Sequence, residues 1–172
     1  MEKLKYPIGK FTLQKEYTKE QINEYILNIE NLPINLKTIL NIISELDFQK
    51  QYREGSWNIK QLVHHIGESH TNAYIRLKLA LTEDNPIIKP YNETLWVNTN
   101  ENNLLDAQVS IMLIEAIHLK FVCLAKSLDE IMLNRTFFNP QSNRTFRVSD
   151  LLCLYSWHGL HHSAHINLAL GL

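Results

Sequence analysis

The sequence predicts an all-α protein, a four-helix bundle with a small β-hairpin before its last helix. Four long stretches repeat apolar residues at three- and four-residue spacing, and three of them open on residues that cap helices, Thr18, Asn58 and Ser149. A proline- and asparagine-rich connection separates the second stretch from the third, and β-prone residues gather in pairs only late in the chain.

Residues 1–17 carry Tyr6-Pro7-Ile8-Gly9-Lys10-Phe11, which proline and glycine break, so they read as an extended arm lying on the body. Thr18 and Gln21 have capping-box spacing, each side chain accepting a backbone N–H of the other residue, and the first helix starts there. Ile22, Ile26 and Ile29 form its apolar stripe. Pro33 interrupts before Leu36, Ile39, Leu40 and Ile43 resume, which predicts a kinked or two-piece helix, because proline removes one helical hydrogen bond and crowds the preceding turn.

A polar connection over 47–58 ends at Asn58, which with Gln61 again has capping-box spacing. The second helix runs from about 59 to 82 on Leu62, Ile66, Ala73, Leu77, Ala80 and Leu81. Residues 83–103 form the long connection, with one helical turn near Tyr91–Val97; connections of this length often make binding edges. The third helix spans about 104–128. Two β-prone triplets around a Pro/Ser/Asn turn over 135–147 read as the hairpin. Ser149 then caps the last helix, about 150–170, and Gly171 ends it.

Composition narrows the function classes. With 172 residues, 45% hydrophobic and 20% charged, the chain is expected to form one domain over 1–172 with a single substantial core. A formal net charge of −1 without a Lys/Arg run gives no electrostatic footprint for nucleic acid. No run approaches the roughly 18 apolar residues of a membrane span, and the N-terminus lacks an apolar signal core, so no membrane partner and a cytoplasmic location are expected. Cys123 and Cys153 sit in apolar helical patterns and read as reduced, buried thiols.

One run is too polar for its pattern. Tyr155-Ser156-Trp157-His158-Gly159-Leu160-His161-His162-Ser163-Ala164-His165-Ile166 places four of the chain's eight histidines within eight residues. Residues four apart share a helix face with Cβ atoms about 5–6 Å apart, so His158 with His162, and His161 with His165, are both candidate metal clamps. Two imidazoles are too few, since catalytic zinc takes three protein ligands and leaves a fourth position open. The second helix offers His64 and His65. On that helix His65, Ser69, Asn72 and Arg76 form a polar stripe of the kind that lines a cavity between helices, and bundle metal sites are built from such inward side chains. His70 and His118 carry no such signal and read as incidental.

The run Gly55-Ser-Trp57 through His64-His65-Ile-Gly-Glu68-Ser69-His70, with Asn72, Arg76, Pro86 and Lys89-Pro-Tyr91, resembles the DinB/YfiT-like family of metal-dependent hydrolases. Tyr6-Pro-Ile-Gly9 and Trp157-His158…His161-His162…His165-Ile166 extend the resemblance over nearly the whole chain. It implies an up-down-down-up bundle, usually a homodimer, with one divalent transition metal per chain, zinc or nickel, held by three histidines. The family's W-x7-H-I-x-[DE]-S pattern puts the first ligand on His65, and its H-x3-H pair on the last helix matches His158 and His162. Relatives in this branch join low-molecular-weight thiols such as bacillithiol to electrophiles, alongside hydrolases.

A seam argument favours the same pair. Leu151, Tyr155, His158, His162 and His165 follow the four-three spacing of a core-facing seam, whereas His161 sits about a hundred degrees away with Leu154, Trp157 and Leu168. Glu68, one turn beyond His65, could orient a ligand or act as general base, and Arg76 could grip a substrate carboxylate or pair with a bundle glutamate. Two classes stay open. One is a metal-dependent enzyme acting on a small molecule, its nucleophile a thiol or water; the other is a non-catalytic metal-binding or stress-response binding protein.

Overall fold

The computed structural model describes residues 2–172. Four long helices carry the fold: α2 (Lys19–Leu40), α3 (Ile59–Thr82), α6 (Ala107–Ala125) and α8 (Val148–Leu170). Between them lie α1 (Glu2–Lys5), α4 (Glu93–Val97), α5 (Asn100–Leu104), α7 (Glu130–Leu133) and the hairpin β1 (Thr136–Asn139) and β2 (Arg144–Arg147).

Local chemistry sets the helix starts. Thr18 Oγ1 accepts the Gln21 N–H at 3.2 Å while Gln21 Oε1 accepts the Thr18 N–H at 2.8 Å, and Asn58 with Gln61 does the same at 2.9 and 3.1 Å. The last helix begins earlier than Ser149 predicted. Arg147 stands at its N-cap, Asp150 Oδ2 accepts the Arg147 N–H at 2.8 Å, and Ser149 falls inside the first turn. Asp150 wins that contest because its carboxylate also holds the Arg147 guanidinium at 3.0 Å and the Tyr17 hydroxyl at 2.9 Å. Gly171, at φ +76°, provides the left-handed residue that ends the helix.

Pro33 does not divide α2, which runs unbroken from Lys19 to Leu40. Proline carries no N–H for the carbonyl four residues before it, here Ile29, and that carbonyl accepts His118 Nδ1 of α6 instead, at 2.6 Å. A buried backbone acceptor thus stays satisfied and the helix continues.

Two apolar clusters give the helix directions. The first joins Ile22, Ile26 and Ile29 of α2 to Ala73, Leu77 and Ala80 of α3, Phe121 and Ala125 of α6, and Leu151 and Tyr155 of α8. The second joins Leu32, Leu36 and Leu40 to Ile59, Leu62 and Ile66, Ala107, Ile111 and Ile114, and Ile166. Helices α2 and α8 therefore run from the first cluster to the second, and α3 and α6 run from the second to the first. The order is up-down-down-up. Parallel neighbours α3 and α6 need a return crossing, which residues 83–106 supply. That crossing is pinned to the hairpin, with Ile88 N–H donating to the Phe138 carbonyl at 3.0 Å and Phe138 N–H to the Pro86 carbonyl at 2.9 Å.

The hairpin pairs Thr136 with Arg147 and Asn139 with Arg144, and Arg135 caps α3 by donating to the Ala80 and Glu83 carbonyls, both at 2.6 Å. The arm lies on α8, where Trp157 Nε1 donates to the Gly9 carbonyl at 3.3 Å. Among the described residues α6 is the one helix long and apolar enough to cross a membrane, by length and composition; its inner face packs on α2 and α3. Cys153 is buried but Cys123 is exposed, so the expectation of burial holds for one thiol only.

Candidate metal centre

At mid-bundle, α3 and α8 face each other with histidines. His65 and His162 are buried and His158 is half-buried, and one ring nitrogen from each lies within 4.8 Å of the others. The Nε2 atoms of His65 and His158 approach to 3.1 Å, and the His162 ring lies 4.5 Å from His158 and 4.9 Å from His65. Gly159 beside them permits the close approach of α8 to α2, since a Cβ there would sit 2.7 Å from Leu32 Cδ2.

A cavity of about 390 Å³ opens onto these three rings. Ser69, Arg76, Tyr155, Trp157 and His161 form its helical walls, Trp57 comes from the turn before α3, Tyr91 and Glu93 from the crossing segment, and Asn139 and Gln141 from the hairpin. The volume falls in the range of small-molecule sites. A larger groove of about 930 Å³ lies between α2 and the α6–α7 end, but it contains no histidine, and Lys126 and Glu30 on its wall pair with each other at 2.6 Å.

Burial sets the charge of the cluster. His65 is pushed down to about 4, first by loss of water and then by the nearby His161. His158 and His162 are held well below the usual histidine range by burial, with their histidine neighbours adding to it. At neutral pH all three are uncharged and have lone pairs to offer.

More of the histidines converge than the sequence suggested. His70 Nε2 lies 3.1 Å from His158 Nδ1, and His70 Nδ1 lies 2.9 Å from Nε2 of His118. His165 Nδ1 lies 3.4 Å from His162 Nδ1, and its ring stacks on Tyr52 at 3.8 Å. His161, His162 and His165 also form a second close trio, which shares His162 with the first. His161 stacks on Trp157 at 4.3 Å, with its Nδ1 buried and unpartnered. His64 stands apart, 2.7 Å from the Ser110 hydroxyl.

The stripe read on α3 is divided by the fold. His65, Ser69 and Arg76 line the histidine cavity, whereas Asn72 lines a neighbouring recess with Tyr91 and Trp96. Arg76 donates to the Tyr155 hydroxyl at 3.2 Å and has no ion-pair partner among the described residues, so the bundle glutamate expected as an alternative partner is not there. Glu68 is not brought to the histidines. It lines a separate recess with Trp96, Thr99 and Glu101, and its Oε1 accepts Asn102 Nδ2 at 2.7 Å, tying α3 to α5. Burial raises its pKa. The carboxylate that does line the histidine cavity is Glu93, at its rim. Nothing in the sequence pointed to Glu93, Asn139 or Gln141, because α4 and the hairpin strands are only four or five residues long, too short for a period that shows a facing side.

The bundle order and the histidine-walled cavity define the class. Residues 29–166 match the DinB superfamily, and the chain belongs to it. A protein of Halalkalibacterium halodurans provisionally named a metal-dependent hydrolase is 42% identical over 166 residues, spanning 96% of each chain. One of Oceanobacillus iheyensis with the same provisional name is 43% identical over 162 residues, spanning 94% of this chain and 93% of its own. Among solved structures, YfiT from Bacillus subtilis, described as a probable metal-dependent hydrolase with an unusual four-helix bundle topology, superposes with a TM-score of 0.94 at 34% identity, over 97% of this chain and 95% of its own. A mycothiol-dependent maleylpyruvate isomerase shares the fold at a TM-score of 0.67 and 16% identity, over 84% of this chain and 60% of its own.

Proposed function

We propose that this protein is a metal-dependent enzyme in which His65, His158 and His162 hold one zinc or nickel ion per chain, and in which a low-molecular-weight thiol attacks an electrophilic small molecule. The observation that carries this reading is the convergence of three uncharged imidazoles on one small-molecule-sized cavity, with no carboxylate in the trio itself. Their donor set suits the ion. Neutral nitrogen ligands favour borderline transition metals over magnesium or calcium, and three ligands leave a position open, unlike a closed structural site. When bound, such an ion lowers the pKa of water or holds a thiol as thiolate.

The chain's own residues then orient the substrate. Arg76, free of a carboxylate partner and steadied by the Tyr155 hydroxyl, presents its remaining N–H groups to the cavity, where they suit a carboxylate of thiol or electrophile. Trp57 and Trp157 flank the rings and limit water. Water as nucleophile, the hydrolase reading suggested by the relatives' names, needs a base beside the histidines. Glu68, the candidate for it, is turned away and bonded to Asn102, and the carboxylate that does line the cavity, Glu93, is exposed at its rim, which favours the thiol; in this reading Glu68 acts by holding the crossing segment.

The free cysteines agree with a reducing, cytoplasmic compartment. We also place a homodimer contact on α6, where exposed Val109, Met112, Ala116, Leu119 and Cys123 follow the three-four spacing of an interhelical seam. Sedimentation showing only monomer at micromolar concentration would remove that contact.

The central test incubates zinc- or nickel-loaded protein with bacillithiol, glutathione or coenzyme A plus monochlorobimane, beside a panel of esters and amides. Conjugation that requires metal and one of the thiols is expected. Robust ester or amide turnover without thiol would reverse the order of nucleophiles.

A further inference from the structure

Pro33, Ile29, His118, His70 and His158 form an unbroken line from the backbone of α2 to the metal centre. The Ile29 carbonyl lacks the helical donor that Pro33 cannot supply. A carbonyl only accepts, so His118 Nδ1, at 2.6 Å, must carry hydrogen. A neutral imidazole has one N–H, so His118 Nε2 is a lone pair, and His70 Nδ1, at 2.9 Å, must be the donor to it. By the same step His70 Nε2 accepts, and His158 Nδ1, at 3.1 Å, donates. His158 Nε2 is then left as a lone pair facing His65.

A second, shorter line reaches the other ligand of α8. Lys5 ends α1, so its carbonyl has no helical donor. His165 Nε2 donates to it at 3.2 Å, which makes His165 Nδ1 an acceptor. His162 Nδ1, 3.4 Å away, can only be the donor, and His162 Nε2 is the nitrogen left free. His70 and His118 are buried and bond only to a carbonyl and to other imidazoles, so nothing beside them holds a second hydrogen and the one-hydrogen rule applies along the first line. His65 belongs to neither line, and its Nδ1 is buried without a partner.

We infer that His118 and His70, and in parallel His165, are positioning residues whose hydrogen bonds, anchored on the Ile29 and Lys5 carbonyls, fix the tautomers of His158 and His162 so that both present Nε2 lone pairs to the metal. The inference rests on the metal assignment proposed above. Most metal-binding histidines donate their second N–H directly to a carbonyl or carboxylate; here one and two further imidazoles carry that constraint. His65 is the ligand free to change. In the metal-free protein it donates Nε2–H to His158 Nε2, and it shifts its hydrogen to Nδ1 when metal binds.

Long-range proton–nitrogen NMR of the metal-free, full-length protein reads the tautomers directly. His158 and His162 in the Nδ1–H form are expected. Either one in the Nε2–H form overturns the inference, whether or not metal binds. His70→Phe removes the acceptor and should mix the His158 tautomers and weaken zinc binding, titrated with zinc alone, by about 10–100-fold. His70→Gln, whose amide oxygen can take the place of Nε2, should restore the wild-type His158 signal and bring zinc affinity to within about threefold of wild type. A folded His70→Phe protein that keeps both the His158 tautomer and its zinc affinity refutes the relay. If His70→Phe fails to fold, His118→Gln and His118→Phe make the same comparison one ring further out. Wild-type protein that takes up no zinc defeats the metal reading, while its tautomer spectrum still decides the relay.

Discussion

The two apolar clusters and the histidine layer between them occupy the same four helices, yet they follow opposite rules. On α3 His65 enters the layer beside Ile66, and Ser69 and His70 fill the gap before Ala73; on α6 the layer falls between Ile114 and Phe121, and on α8 between Tyr155 and Ile166. On α2 it contributes a carbonyl. In the clusters each side chain gains by leaving water and any close-fitting apolar shape would serve. In the histidine layer burial is a cost, offset only where each ring nitrogen finds a partner of the right kind. The clusters hold the bundle together, and the layer between them is where it can bind. Removing a side chain from each should therefore break different properties.

The largest loss of stability is expected in a cluster. Phe121, fully buried, reduced to alanine should cost about 3–5 kcal/mol in urea unfolding, with metal content of the folded fraction unchanged. A loss of metal at full stability would mean that the two regions are not separable.

Acid should act on the layer and spare the clusters. His118 is lowered from its ordinary value of 6.5 to about 4, and His70 well below it, both first by burial. Below 6.5 the unfolded chain binds protons that the folded chain refuses, so stability is full above about 6.5 and falls as pH drops; the His118 share is lost by about 4, and the His70 share goes on falling below that. Denaturant midpoints of metal-free protein at successive pH values read this slope. A flat profile across that window would show that the layer opens to water.

The smallest change in stability, and the largest in metal, belongs to the proposed ligands. His65→Ala, His158→Ala and His162→Ala should each lose most of the metal while changing the unfolding of metal-free protein by about 1–2 kcal/mol. Helical circular dichroism should survive both these changes and chelation, because neither touches the clusters. His161→Ala should keep the metal. If His161→Ala empties the site and His158→Ala does not, α8 contributes its other face and the assignment fails.

The sequence by itself determined the four long helices and the hairpin, because their signals are local: caps at Thr18 and Asn58, apolar spacing along four helices, turn residues in the hairpin, and a histidine pair one turn apart; it read residues 1–17 as wholly extended, where Glu2–Lys5 form α1. Local chemistry also carried misreadings. Pro33 left a two-piece first helix open beside a kinked one, and Ser149 predicted a cap, because the partners that settle continuity and cap, His118 and Arg147 with Tyr17, act through packing or through a competing carboxylate. Only the tertiary structure decided that Glu68 faces Asn102 while Glu93 and the hairpin reach the cavity, since these contacts depend on where short α4, α5 and the hairpin pack against α3 and α8. It also decided that His70 and His118, without any motif of their own, stand in line with His158. A hydrogen-bond line across four helices depends on distances between residues 29, 118, 70 and 158, and no spacing along one chain segment encodes them.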